Sequence, residues 1–289
     1  MKKESKNFLV ELLNTSSPSG FEMPAQRVVR AYVKDFSDEI RTDYTGNVIA
    51  CLKGVEKKPL KIMLSGHSDE IGLMATSIED SGQVRFSMIG GVDPAVLPGT
   101  HVILHTKKKN FDGVVGRKAI HLLPVEERGK VNKDHLWADF GFKDKKAAEK
   151  HIRVGDPISY KPNYTELESN VIISKPCDDK AGVYVVVEAL RLLAAKRKAL
   201  KSDVYCVSST MEELGARGAK TAAGSIDPNV GIAVDVTHAT DYPGGDKKLS
   251  GEIKLGGGPV IARGANISPV LFDMLVDVAT KKKIPHQIE

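Results

Sequence analysis

The stretch IMLSGHSDEIG, residues 62–72, decides the fold. Its apolar run, Ile62 to Leu64, stops at Ser65-Gly66, and His67, Asp69 and Glu70 follow at once. An apolar β run that ends on an imidazole and two carboxylates reads as a buried strand opening into a crevice. In open α/β sheets ligands bind outside the carboxyl ends of the strands. His67 and Asp69 lie two apart, so on extended backbone they point to the same side. Asp69 is then placed to accept a hydrogen bond from the imidazole nitrogen that faces away from a ligand, which fixes the tautomer.

Working outward, the upstream residues supply α/β material. Residues 4–14 carry Phe8, Leu9, Leu12 and Leu13 at the spacing of an amphipathic helix. SSPSGFE ends it with turn chemistry, a second helix covers about 22–36, and strands are expected at 47–52 and 60–64. The texture changes downstream. From about 74 to 165, short β-like runs such as VRFSMIGG, HVILHT and FDGVVG are broken by glycine and proline, with one short helix, DKKAAEKHI. From about 170 the α/β rhythm returns: a long helix in DDKAGVYVVVEALRLLAAKRKAL, a strand in DVYCVSST, a helix in RGAKTAAGSI, a strand in VGIAVDVT and a helix in SPVLFDMLVDVATKKKI. Strands alternating with helices predict an α/β fold with a mainly parallel central sheet covered by helices. The simplest organisation is a discontinuous catalytic domain, residues 1–70 and 166–289, interrupted by a β-barrel-like insertion at 71–165.

Polar residues recur where the predicted strands end: His67 and Asp69, then Asp178 and Asp179 after VIISKPC, Glu212 and Glu213 after VYCVSSTM, and Asp235 after GIAV. Each alone is ordinary. A lone HxD is commonly structural, an acidic pair is usually solvated, and Asp235 could cap a turn. Their recurrence at the same end of successive strands is what carries weight. So many carboxylates in one crevice would repel unless a cation sat among them. Histidine with carboxylates suits zinc, cobalt or manganese better than calcium or magnesium. Glu212 and Glu213 are adjacent and so point in different directions. One can bind metal while the other acts as a general base, the two tasks that metal-assisted hydrolysis needs.

The rest of the composition is that of an ordinary globular chain. It has 289 residues, 41% hydrophobic and 27% charged, with net charge +5. The lysine runs 107–109 and 281–283 have no interleaved aromatic residues, so no nucleic-acid platform is expected. No apolar run approaches the ~20 residues that span a membrane. The N-terminus lacks an apolar signal segment. Three cysteines without a CxxC pair point to a reduced, cytoplasmic protein. His101, His105 and His121 have no ligand spacing and read as structural or exposed. His238 reads equally as pocket or surface. Gly256 to Gly258 do not fit a phosphate-binding loop and read as a tight turn.

The stretches SPSGFE, DYTGNVIA, SGHSDEIGLM, CDDKAGVY, MEELGARGA, VDVTHATDYPGG and LGGGPVI occur in this order over nearly the whole chain. In them the chain resembles the family 42 metallo-aminopeptidases, the tetrahedral (TET) enzymes of glutamyl or deblocking type, some of which carry an endoglucanase label. The resemblance implies two divalent metal ions per subunit, zinc or cobalt or manganese. Asp178 would bridge them, His67 and Asp235 would complete the first site, and Glu213 would belong to the second. It implies Glu212 as general base and acid, Asp69 as the residue that orients His67, and a cis peptide between Asp178 and Asp179. The implied reaction removes N-terminal residues from short peptides with a metal-activated water. The implied assembly is a dimer joined through the insertion and built into a tetrahedral dodecamer. A glycosidase would instead need two carboxylates flanking a sugar and no metal; the histidine and the additional acids speak against it. A relative kept only for assembly or peptide binding is the non-enzymatic rival, in which replacing Glu212 would change nothing.

The resemblance breaks off at the C-terminus. The family continues past KKKIPHQIE with a Gly-Thr-Asp segment, a histidine ligand of the second metal, and a closing strand and helix. His286 falls too early to match that ligand. The catalytic domain therefore reads as C-terminally incomplete, with a weak second metal site and some apolar surface or sheet edge left open.

Overall fold

Phe8, Leu9, Leu12 and Leu13 do form one buried helical face, on α1, Lys3–Leu13. Helix α2, Met23–Val33, buries Ala25, Val29 and Val33 beside it. The computed structural model describes residues 1–289, with side chains described for all but residues 249 and 250. Two compact units are present, residues 1–235 and 236–289.

In the first unit, strands β1 (Glu39–Thr42), β2 (Val48–Leu52) and β3 (Lys61–His67) lead into a closed six-stranded barrel. The barrel is built from β4 (Gly72–Ile78), β5 (Val84–Ile89), β6 (His101–His105), β7 (Asn110–Arg117), β8 (Leu136–Asp139) and β9 (Pro157–Tyr160), with the short helix α3 (Lys145–Glu149) between the last two. Its own apolar core includes Leu73, Leu97, Leu104, Val115 and Ile158. A two-stranded ribbon, β10 (Thr165–Glu166) and β11 (Ile172–Ile173), leads to the long helix α4 (Cys177–Ala194). Strand β12 (Asp203–Ser209), helix α5 (Arg217–Ile226) and strand β13 (Val230–Ala233) complete the unit.

The central sheet has the order β1-β2-β12-β3-β13. Strands β12, β3 and β13 run parallel; β2 joins β12, and β1 joins β2, antiparallel. Apolar residues of α1, α2 and α4 cover one face: Phe8, Leu12, Val29, Val33, Val183, Val187 and Leu190 pack on Val48, Leu52, Val204 and Cys206. Helix α5 covers the other, with Ala222 and Ile226 against Ile49, Met63 and Val207.

Strand β3 runs three residues beyond its apolar segment. Ser65, Gly66 and His67 stay in the parallel ladder, opposite Val207, Ser208 and Ser209. Gly66 also permits the close approach of α4: a Cβ there would lie 2.6 Å from the Val183 backbone nitrogen.

The second unit holds α6 (Lys247–Ser250), a small parallel pair of β14 (Val260–Ile261) and β15 (Gln287–Ile288), and helix α7 (Pro269–Lys281). Ser268 caps α7 by accepting the Leu271 N–H, with proline in its first turn. Helix α7 buries Phe272 and Ala279, while Val270, Met274 and Val278 are exposed. Strand β13 is an edge of the central sheet in the first unit.

Candidate active site and metal centre

His67 ends β3 and is 3% exposed. Its backbone N–H donates to Asp179 Oδ2 at 3.0 Å, which ties the strand end to the start of α4. Its Nδ1 lies 3.0 Å from the Asp69 carbonyl oxygen and 3.4 Å from Asp69 Oδ1. The nearest acceptor is thus the backbone carbonyl of Asp69, with its carboxylate further off, because the carboxylate is occupied elsewhere. A carbonyl only accepts, so Nδ1 carries the proton, and in a neutral ring Nε2 carries the lone pair.

That Nε2 faces oxygens on three sides: Asp178 Oδ1 at 3.1 Å, Glu212 Oε2 at 3.7 Å and Asp235 Oδ2 at 3.9 Å. A lone pair aimed at carboxylates is unfavourable unless positive charge lies between them. The ring shows the demand. Burial alone would lower its pKa, yet the hydrogen bonds to Asp178 and Asp69 and the charges of Asp69 and Asp179 push it up to about 11. Donor atoms of His67, Asp178 and Asp235 lie within 4.8 Å of one another, a grouping able to hold a metal ion. The donor set, one imidazole and several carboxylates, fits a divalent cation of the zinc type.

Asp178 and Asp179 leave the helical conformation at the start of α4, and the peptide bond between them is cis. Asp178 turns to His67. Asp179 is fully buried, accepting from the His67 and Gly182 backbone N–H groups. Burial, and then the negative charge of Asp235, push its carboxyl up to about 8. Gly182 is required here, since a Cβ would fall on the Asp179 carboxylate.

Glu212 and Glu213 sit on the turn after β12. Their N–H groups donate to Asp69 Oδ1 and Oδ2, at 3.0 and 3.2 Å. Asp69 also accepts from Ser19 Oγ at 2.6 Å. Burial would raise Asp69, but the bonds from His67, Ser19 and Glu212 hold it below the usual carboxylate range. The two glutamates diverge. Glu212 reaches His67, whereas Glu213 Oε2 lies beside Gly90 and is absent from the three-donor group. Burial, and then Asp178, push Glu213 up to about 7; burial raises Glu212 as well.

The structure thus gathers Asp178, Glu212 and Asp235 around His67 Nε2, with Asp69 behind the ring at Nδ1 and Glu213 alongside. Of the other histidines, His105 is buried and bonded to Ser159 Oγ, and His286 turns Nδ1 to the Ile284 carbonyl. His238 lies in the second unit. Reasoning from the sequence gave no role to Ser19, Glu22, Glu70 or Lys180. Ser19 and Glu22 lie in the SPSGFE stretch, which marks a turn and carries part of the family resemblance but by itself assigns neither residue a task.

Residues 46–289 match the family model of the M42 glutamyl aminopeptidases. The chain belongs to that family. A lysyl aminopeptidase of Pyrococcus furiosus is 36% identical over 283 residues, covering 96% of this chain and 79% of the relative. The TET aminopeptidase of the marine sediment archaeon Thaumarchaeota archaeon SCGC AB-539-E09 superposes with a TM-score of 0.92 at 31% identity, over 99% of this chain and 80% of that one. The Pyrococcus horikoshii TET1 peptidase, which can assemble into a tetrahedron or a large octahedral shell, gives 0.87 at 29% identity, over 98% and 83%. This M42 chain is therefore an aminopeptidase, a hydrolase of peptide bonds, and it has the α/β fold with a six-stranded barrel expected for it.

Proposed function

We propose that this chain removes N-terminal residues from short peptides by metal-dependent hydrolysis, with Glu212 as general base. The observation that carries the reading is the ring of Asp178, Glu212 and Asp235 oxygens around His67 Nε2. His67, Asp178 and Asp235 would hold one divalent ion, and Asp178 with Glu213 a second, more weakly held one. Zinc, cobalt and manganese all suit these donors. When bound, such an ion acidifies water and polarises the scissile carbonyl. Glu212 takes the proton of the attacking water and returns it to the leaving amine, a role suited to a carboxyl that burial raises above its usual value. Asp69 holds His67 in its tautomer and fixes the backbone of both glutamates.

Glu212→Gln should abolish hydrolysis of short peptides while titration calorimetry still detects zinc binding. Chelation should silence the wild type, and β-glucans should not be cleaved. Full activity in Glu212→Gln or in chelator would overturn the reading.

We also propose that residues 71–165 join subunits into dimers, which build a tetrahedral dodecamer. The support is the likeness to a peptidase that assembles into a tetrahedron. Native mass spectrometry should give multiples of the subunit up to twelve; a monomer at all concentrations would refute this. A cytoplasmic location fits the three unpaired thiols, Cys51, Cys177 and Cys206. Among the described residues, no helix is long and apolar enough to cross a membrane.

A further inference from the structure

The segment SPSGFE, residues 17–22, is bound to the strand end that carries Asp69. The Ser17 N–H donates to Glu70 Oε1, Ser17 Oγ donates to the Ser68 carbonyl, and Pro18 bridges Glu70. Ser19 Oγ donates to Asp69 itself. The segment ends at Glu22, a residue 6% exposed whose side chain makes no cap bond to the α2 helix it precedes. Among the described residues Glu22 makes no ion pair. Its Oε1 accepts the N–H groups of Gly20 at 2.8 Å and Met211 at 3.1 Å.

Met211 is the residue before Glu212, and it sits in the left-handed region with φ of 52°. A non-glycine residue there persists only where its surroundings hold it. Four successive N–H groups in this turn end on side-chain oxygens. Thr210 donates to Asn47, Met211 to Glu22, Glu212 and Glu213 to Asp69. An unpaired buried N–H is costly, so each acceptor constrains the turn. Glu22 supplies the one acceptor at the strained position.

We propose that Glu22 is a positioning residue for Glu212: its Oε1 fixes the Met211 peptide and so sets the direction of the Glu212 side chain. What acts is a hydrogen-bond acceptor, not a negative charge. The inference rests on the reading of Glu212 as general base.

The test compares Glu22→Leu, which keeps bulk but loses the acceptor, with Glu22→Gln, which keeps a carbonyl oxygen in its place. Two readouts are taken: steady-state peptide hydrolysis, and amide hydrogen exchange of the metal-free protein. Glu22→Leu should lower kcat about 10- to 100-fold with KM little changed. Exchange at Met211 and Glu212 should speed up about tenfold, while residues 204–208 of β12 stay protected. Glu22→Gln should restore most of both. Wild-type kcat and exchange in Glu22→Leu would overturn the proposal. So would a Glu22→Gln kcat as low as that of Glu22→Leu, which would make charge the operative property. Faster exchange throughout β12 and α5 would reduce Glu22 to general support of the fold and overturn it as well. Glu212→Gln, run in parallel, separates the two ideas. If it keeps turnover, the general-base reading falls and the aiming of a base falls with it. If it is inactive while Glu22→Leu keeps full kcat, only the positioning role fails.

Discussion

Lys180 places its ammonium where no solvent reaches: it is 0% exposed, with Nζ donating to the Thr15 carbonyl at 2.6 Å and to Glu70 Oε1 at 3.2 Å. Burial lowers its pKa, against the opposing charge of Glu70. The pair joins the neighbours of Asp69 and Asp179, so it locks β3 to α4 beside the candidate site. Removing one partner strands a buried charge, so Lys180→Met should destabilise by ~3–5 kcal/mol in denaturant unfolding. The double variant Lys180→Met with Glu70→Gln should recover part of that loss. The sequence did not disclose this pair. A lysine after two aspartates reads as a solvated charge, and its burial follows from how α4 docks on Gly66, which no local pattern encodes. The acids at strand ends were legible because they recur at the same end of successive apolar β runs, although each alone is ordinary. Asp69 was less so: its partners Ser19 and the Glu212 and Glu213 amides are distant in sequence and meet only in the fold.

At the scale of elements, α1, α2 and α4 meet at one carboxylate. Glu188 accepts from Ser5 Oγ, from Tyr32 Oη and from Arg191, and its side chain is 13% exposed. Burial would raise it, but Arg191, Tyr32 and Ser5 hold it below the ordinary glutamate value. Folded Glu188 therefore binds its proton less readily than unfolded Glu188. Its stabilisation is fully present above the unfolded value of ~4.5 and is lost as pH falls through the lower folded value. Glu188→Gln should flatten the acid limb of a thermal-midpoint profile below about pH 5 and lower the midpoint at neutral pH. The helices themselves were readable from 3.6-residue spacing. The length of β3 was not: Ser65-Gly66 looks like a turn, and the ladders to β12 and, at Ser65, to β13 keep it extended. The direction of β2 was equally hidden, because side-chain alternation is the same in parallel and antiparallel strands.

Across the whole molecule, the change of texture after residue 73 was the readable sign of a barrel, since closed antiparallel strands need frequent turns. Which strands would pair was not readable. Metal adds a further term at this scale. An ion that binds the folded chain stabilises it by mass action, ~2.7 kcal/mol at a hundredfold excess over Kd. Chelation should lower the thermal midpoint, zinc should restore it, and Glu212→Gln should respond in the same way. An unchanged midpoint would mean that the acids hold no ion.

The barrel opens and closes on neighbours: β4 pairs with β9, Leu73 opposite Ile158. His67 and Asp178 stand 111 positions apart, yet the chain leaves the sheet and comes back through adjacent strands. Once shut, the barrel behaves as a clasp in the folding chain. It converts a long, floppy tether into a short one and cuts the entropy of closing the acid ring by on the order of 1 kcal/mol. The ring can then gather late and locally, and the clasp can change its surface and loops over evolutionary time without altering the distance the tether must span.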